Sequence, residues 1–258
     1  PTMRILRNLL IILAVILVVA LIAGGGAWAV LNGRNAARPE ARAALESGPD
    51  VTVTRPADQD WYVFAPAGET PDTGLILYPG GFVDPVAYAS VARDIAARGF
   101  LVVLDPMPLN LAVTGVESAD AIVAAFPEIT TWAIGGHSLG GAMAAEYIKN
   151  NEGAVSGLAL WAAYPAESTD LSARPIRVVS LYGDADGVAA VAEVTGGAAR
   201  LPAGTEFVLI PGGNHTQFGR YGEGLQRGDN AAAISREEQQ AMVVEATAGL
   251  LRAIDPTP

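Results

Sequence analysis

Gly136-His137-Ser138-Leu139-Gly140 places a serine between two glycines in the spacing G-x-S-x-G. A serine hydroxyl attacks a carbonyl carbon only when a base takes its proton. The chain has two histidines, and His137 is fixed beside the serine, so its side chain is expected to point elsewhere. That leaves His215, in PGGNHTQFG, as the candidate base. An imidazole in this role needs a carboxylate to hold its tautomer and to stabilise the imidazolium. SLYGDADGV offers Asp184 and Asp186. Asp186 is preferred because it stands just before a predicted helix, whereas Asp184 can cap or brace the turn. Attack also builds negative charge on the carbonyl oxygen, which needs backbone N–H donors. Leu139 can supply one. The loop Gly80-Gly81-Phe82 can supply the other, with Gly81 the first choice and Phe82 the second. The chemistry these residues could perform together is acyl transfer.

Such residues work only if the chain delivers them to one place. Apolar runs that read as strands are Asp60–Pro66, Thr73–Pro79, Phe100–Asp105, Thr131–Gly136, Val155–Tyr164, Pro175–Gly183 and Thr205–Gly212. Between and after them, Ala87–Gly99, Val116–Phe126, Leu139–Asn150 and Ser235–Ile254 carry helical periodicity. Continuous apolar strands alternating with helices predict a three-layer α/β fold, with a mostly parallel central sheet covered on both faces. Ligands bind outside the carboxyl ends of the strands in such a sheet. Ser138, Asp186, His215 and Gly81 all follow predicted strands.

The chain resembles the α/β-hydrolase superfamily, particularly its small, nearly lidless members grouped with dienelactone hydrolase. The resemblance spans roughly Val51 to Ile254 and rests on LILYPGGFVDPVAYA, WAIGGHSLGG, LYGDADGV and PGGNHTQFGRYG. It implies a serine-dependent esterase in which Ser138, Asp186 and His215 match the family's triad and the Gly81 region its oxyanion loop. Two departures stand out. Pro79 replaces the usual histidine before the oxyanion-loop glycine. Serine stands where dienelactone hydrolase has cysteine, so that enzyme's substrate is not carried over. The expected activity is hydrolysis of small or medium carboxylic esters through an acyl-enzyme. An amidase or peptidase acting on the same triad, and a non-catalytic membrane-anchored binding domain, are the alternatives. No cofactor or metal is called for; Glu223 and Asp229 read as acidic solvent-facing loop residues.

Leu9–Val30 runs 22 positions without a charge, enough to span a hydrocarbon core of roughly 30 Å. Residues 1–31 therefore read as a membrane anchor or signal segment, 32–49 as a tether and 50–258 as the α/β domain. Ala27-Trp28-Ala29 keeps signal cleavage open. The anchor reading places the domain outside the cytoplasm, and the cleavage reading makes it secreted. A net charge of −11 argues against nucleic acid as a partner. Absence of cysteine excludes a thiol nucleophile and disulfides. The stretch Ala162–Pro175 is too short for a large lid, which favours an open site. Phe82, Met107, Leu109, Trp161 and Tyr164 are candidates for its apolar lining.

Overall fold

The computed structural model describes residues 24–256 apart from positions 27, 31 and 69. Eight strands form one sheet in the order β1-β2-β4-β3-β5-β6-β7-β8. In chain order they are β1 (Val51–Thr54), β2 (Tyr62–Pro66), β3 (Thr73–Tyr78), β4 (Leu101–Leu104), β5 (Thr131–His137), β6 (Gly157–Trp161), β7 (Arg177–Gly183) and β8 (Glu206–Ile210). From β4 onward across the sheet every pairing is parallel, while β1 and β2 join antiparallel at one edge. The mostly parallel sheet agrees with the sequence expectation; β1 is an addition to it.

Side-chain alternation along the strands separates two cores. Leu75, Leu77, Val102, Leu104, Val179 and Leu181 face one side, where they meet helices α1 (Pro39–Ala43), α2 (Ala89–Ala96), α5 (Val191–Gly196) and α6 (Arg236–Ile254). Ile76, Val103, Ile134, Leu158 and Leu160 face the other, against α3 (Ala119–Ala125) and α4 (Leu139–Asn150). Burial on both faces explains why β3 is apolar and inaccessible along its whole length. Helix α2 turns Val91, Ala92 and Ile95 inward, and the chain leaves it through Gly99 at φ 100°. Helix α6 opens on a capping box: Ser235 Oγ accepts the Glu238 N–H at 3.1 Å, and Glu238 accepts the Ser235 N–H at 2.8 Å.

Most of the predicted membrane span, residues 9–23, lies outside the described residues. Among the described residues no helix is long and apolar enough to cross a membrane.

Within the 32–49 stretch, residues 35–42 pack onto the domain. Ala37 pairs with Tyr221 in an isolated antiparallel bridge, Arg38 N–H donates to Arg220 O at 2.8 Å, and Gly222 N–H donates to Ala36 O at 3.0 Å. Asp84 N–H reaches Asn35 O at 3.1 Å, and the Asp84 carboxylate binds Ala37 N–H and the Arg42 guanidinium. Ala37 and Ala41 are buried. Small side chains at those two positions let the strap lie flat on the domain, a packing feature with no periodicity to reveal it in the sequence.

Candidate active site

The strand β5 ends in a turn that no ordinary residue adopts without strain. Ser138 has φ 54° and ψ −121°, and α4 begins at the next residue. A positive φ at a non-glycine residue costs of order 1–3 kcal/mol and is held only where the surroundings dictate it. Here Ser138 N–H is tied to Trp161 O at 2.9 Å, and Ala142 N–H to Ser138 O at 3.1 Å. Gly136 and Gly140 are required for the turn, since a Cβ at either would overlap the carbonyl oxygen of Tyr78. The serine hydroxyl makes no hydrogen bond with the described residues and is partly exposed.

Asp186 follows β7 and His215 follows β8. His215 Nδ1 meets Asp186 Oδ2 at 2.9 Å, with both side chains fully inaccessible. The other carboxylate oxygen, Oδ1, accepts the N–H groups of Val188 and Ala189 at 2.8 and 2.7 Å, which fixes the aspartate against rotation. An acceptor-only carboxylate makes Nδ1 the donor and leaves Nε2 free to take a proton. His215 Nε2 is buried and without a partner. No hydrogen bond joins it to Ser138 among the described residues; such bonds are often long or poorly aligned in sites without substrate. Asp184 is elsewhere: its Oδ1 accepts Gly212 N–H at 2.6 Å and braces the turn before His215.

The candidate oxyanion donors separate clearly. Leu139 N–H is the first of α4 and has no helical acceptor. Gly81 lies against it, since a Cβ there would sit 3.2 Å from Leu139 Cδ2, and its N–H makes no hydrogen bond to the described residues. Phe82 N–H, by contrast, is committed to Asn110 O at 2.7 Å. Phe82 and Asn110 both hold positive φ, at 58° and 54°. Of the two loop candidates, then, Gly81 presents a free donor and Phe82 a used one.

His137 does not point away from the site as expected. Its ring lies 4.4 Å from that of His215, centroid to centroid, and stacks on Phe218 at 5.4 Å. Tyr88 OH contacts His137 Nδ1 at 2.8 Å and accepts Gly80 N–H at 3.1 Å. Either tautomer of His137 can make this contact, and its Nε2 is buried with no hydrogen-bond partner among the described residues. Burial first, and then the neighbouring His215, hold the His137 pKa well below the usual imidazole value, outweighing the opposite influence of the His215 backbone. A neutral ring therefore stands between Tyr88, which holds Gly80 N–H, and the ring of His215.

Asp229 is likewise not an idle acidic loop residue. It accepts N–H groups from Gly187 at 3.2 Å, His215 at 3.2 Å and Thr216 at 2.7 Å, and the Thr216 hydroxyl at 2.5 Å. One carboxylate thus clamps the Asp186 loop to the His215 loop. Tyr88 sits in a helical pattern and Asp229 in a polar run, so no local signal marked either. Among the described residues no group of three or more His, Asp or Glu side chains is arranged to hold a metal ion.

Residues 74–241 match the model of the alpha/beta hydrolase family. The chain belongs to the alpha/beta hydrolase family. That membership supports a hydrolase, and the match takes in the Ser138 turn, both aspartates and His215. Comparison with curated proteins finds no match. As in other sheets of this architecture, the candidate residues of this alpha/beta hydrolase gather at the carboxyl ends of β3, β5, β7 and β8. Of the residues expected to line an apolar pocket, Trp161 and Met107 are core, while Leu109 is exposed. Phe82 lines a cavity of about 980 Å³ beside the Gly81 loop.

Proposed function

We propose that the protein is a serine hydrolase that cleaves small or medium carboxylic esters through an acyl-enzyme. The observation that carries this reading is the buried His215–Asp186 pair at 2.9 Å, whose remaining imidazole nitrogen has no partner, beside the strained Ser138 turn. Burying a histidine and a carboxylate is costly, and fold stability alone does not require a free nitrogen there.

In this mechanism Ser138 Oγ attacks the ester carbonyl while its proton passes to His215 Nε2. Asp186 holds Nδ1–H and stabilises the imidazolium. Leu139 and Gly81 N–H groups receive the oxyanion. Collapse expels the alcohol, protonated by His215, and leaves the acyl group on Ser138. Water, deprotonated by His215, then attacks the acyl carbon; the second oxyanion collapses, Ser138 takes back its proton and the acid departs. The segment between β6 and β7 contains no helix, which supports kinship with the nearly lidless members of the family.

The reading includes membrane attachment through Leu9–Val30, supported by its uncharged length, with the domain facing outward. Protease accessibility of the domain in intact cells checks the orientation, and sequencing the mature N terminus checks for cleavage.

A series of 4-nitrophenyl esters from acetate to laurate, hydrolysed by the full chain in neutral detergent, tests the activity. The expected result is turnover that peaks at short or medium acyl length, shows an initial burst and disappears in Ser138→Ala. Equal turnover by Ser138→Ala would overturn the reading.

A further inference from the structure

The 980 Å³ cavity meets the candidate site at Gly81 and Phe82, and neither Ser138 nor His215 lines it. Gly81 abuts the side chain of Leu139, the residue after the candidate nucleophile, so the cavity borders the loop beside the Ser138 turn. Its volume is that of a pocket for a small organic molecule, and it is placed to hold whatever part of a substrate extends past the reacting carbonyl.

Its walls come from two segments outside the sheet, the N-terminal strap and the stretch 221–227 after His215. They bring Arg34, Arg38 and Arg227 to one cavity with a single acidic residue, Glu223. The whole chain has 27 acidic side chains against 16 basic ones, so a cationic cavity runs against the charge of the rest of the molecule. Arg42, Arg55, Arg98, Arg174, Arg220 and Arg252 each have a carboxylate partner within 4.0 Å. Arg34, Arg38 and Arg227 have none among the described residues; Arg93, Arg177, Arg200 and Arg236 also lack one, but none of these lines the cavity. Arg38 gives only its Nε–H away, to Gly222 O at 2.7 Å, and keeps its terminal nitrogens. Its charge also contributes, after burial, to a lowered pKa at Arg236, so further positive charge stands behind the cavity.

The position of Arg38 is fixed before any ligand arrives. The Ala37–Tyr221 bridge and the two backbone hydrogen bonds that flank it lock the strap to the opposite wall. Asn110 Nδ2 donates to Asn32 Oδ1, and Asn110 O holds Phe82 N–H, so the strap is also linked to the loop of Gly81. Arg38 is a guanidinium held at one nitrogen with its terminal nitrogens unused, which suits a planar or tetrahedral oxyanion, and Arg34 and Arg227 are exposed side chains beside it that add positive charge. Val30, Phe82 and Leu225 supply apolar surface in the same cavity.

We propose that Arg34, Arg38 and Arg227 bind an anionic group on the substrate, making the preferred ester one that carries a carboxylate or phosphate beyond the scissile carbonyl. This rests on the serine-hydrolase reading. The N-terminal strap is then a specificity element of the site.

The test compares kcat/KM of the full chain, in neutral detergent, on three pairs. They are 4-nitrophenyl hydrogen adipate with its methyl ester, 4-acetoxybenzoate with its methyl ester, and phosphatidylglycerol with phosphatidylcholine of the same chains. The first two place a soluble carboxylate on the acyl or the alcohol side, and the third compares a lipid phosphate that carries net negative charge with the same phosphate neutralised by a quaternary ammonium. The expected result is a preference of roughly tenfold or more for the anionic member in at least one soluble pair, or for phosphatidylglycerol if the source is lipid. That ratio falls toward one in the Arg38→Gln/Arg227→Gln variant, is partly kept in Arg38→Lys/Arg227→Lys, and shrinks with added salt. Equal or better turnover of the member without net charge in every pair overturns the proposal, as does a preference that survives the glutamine variant. Turnover of the uncharged esters, lost in Ser138→Ala, reports separately on the serine-hydrolase reading. If no ester of any charge is turned over, that reading fails and the substrate proposal falls with it.

Discussion

The imidazole rings of His137 and His215 stand 4.4 Å apart, yet only His215 is paired with a carboxylate. His137 is paired with Tyr88, whose hydroxyl also takes the N–H of Gly80. Pro79 precedes the loop proposed to receive the oxyanion, and Tyr88, held against His137, braces that loop through Gly80 N–H. Tyr88→Phe removes both hydrogen bonds and leaves the Gly80 N–H and His137 Nδ1 unsatisfied. The expected outcome is a loss of about 1–3 kcal/mol in unfolding free energy. With it goes a roughly tenfold fall in kcat at nearly constant KM, because the loop proposed to receive the oxyanion loses its support. Chemical denaturation and ester kinetics check the two effects, and an unchanged kcat would remove Tyr88 from the account.

Asp184 and Asp186 are separated by one residue and do different work. Asp186→Asn replaces the acceptor of His215 Nδ1–H by an amide that can favour the wrong tautomer, and kcat/KM is expected to fall by about 10³-fold or more. Asp184→Asn affects one backbone hydrogen bond in a turn. Its expected cost is about 1 kcal/mol of stability and less than a tenfold change in rate. Parallel measurement of the two variants checks the assignment. Similar rates for both would contradict it.

Asp229 accepts four hydrogen bonds from two loops that carry Asp186 and His215. Asp229→Ala leaves several part-buried donors without their partner, at an expected cost of about 1–3 kcal/mol. Misplacement of His215 should lower kcat as well. Thermal unfolding and activity of this variant, measured together, test whether the clamp serves both stability and the site.

Asp105 lies at the end of β4, buried, with Ser118 Oγ donating to it at 2.5 Å. Burial pushes its carboxyl up to about 6, only partly offset by the Ser118 hydroxyl. Between pH about 4 and about 6 the folded protein therefore holds a proton that the unfolded chain has released. The stability contribution is full below about pH 4 and is lost as pH rises through about 6. The loss amounts to about 2–3 kcal/mol. Asp105→Asn cannot ionise, so its unfolding free energy should rise relative to the native chain by that amount between pH 4 and pH 7. Parallel stability curves would show that the carboxyl is not shifted.

The seven strands from Asp60 onward were legible because buried parallel strands are continuous apolar runs, and each candidate site residue was legible because it follows one. The Asp186 choice depended on a turn-bracing argument for Asp184 that matches its hydrogen bond to Gly212. Three features were not legible. The strap around Ala37 is held by backbone pairing with the distant residues 220–222, which no local pattern announces. Asp229 looks like any acidic loop residue until the two loops it joins are brought together. His137 was expected to face away, but β5 presents it between Tyr88 and Phe218, contacts set by elements remote in sequence. Phe82 and Gly81 could not be separated by sequence because the difference is one hydrogen bond to Asn110.

The central claim is that Ser138 is an activated nucleophile. Fluorophosphonate labelling of the full chain, followed by peptide mapping, tests it most directly. The account predicts a single adduct on Ser138 that is absent in Ser138→Ala and strongly slowed in His215→Gln. A folded protein that takes no label, or takes it at another residue, would contradict the account.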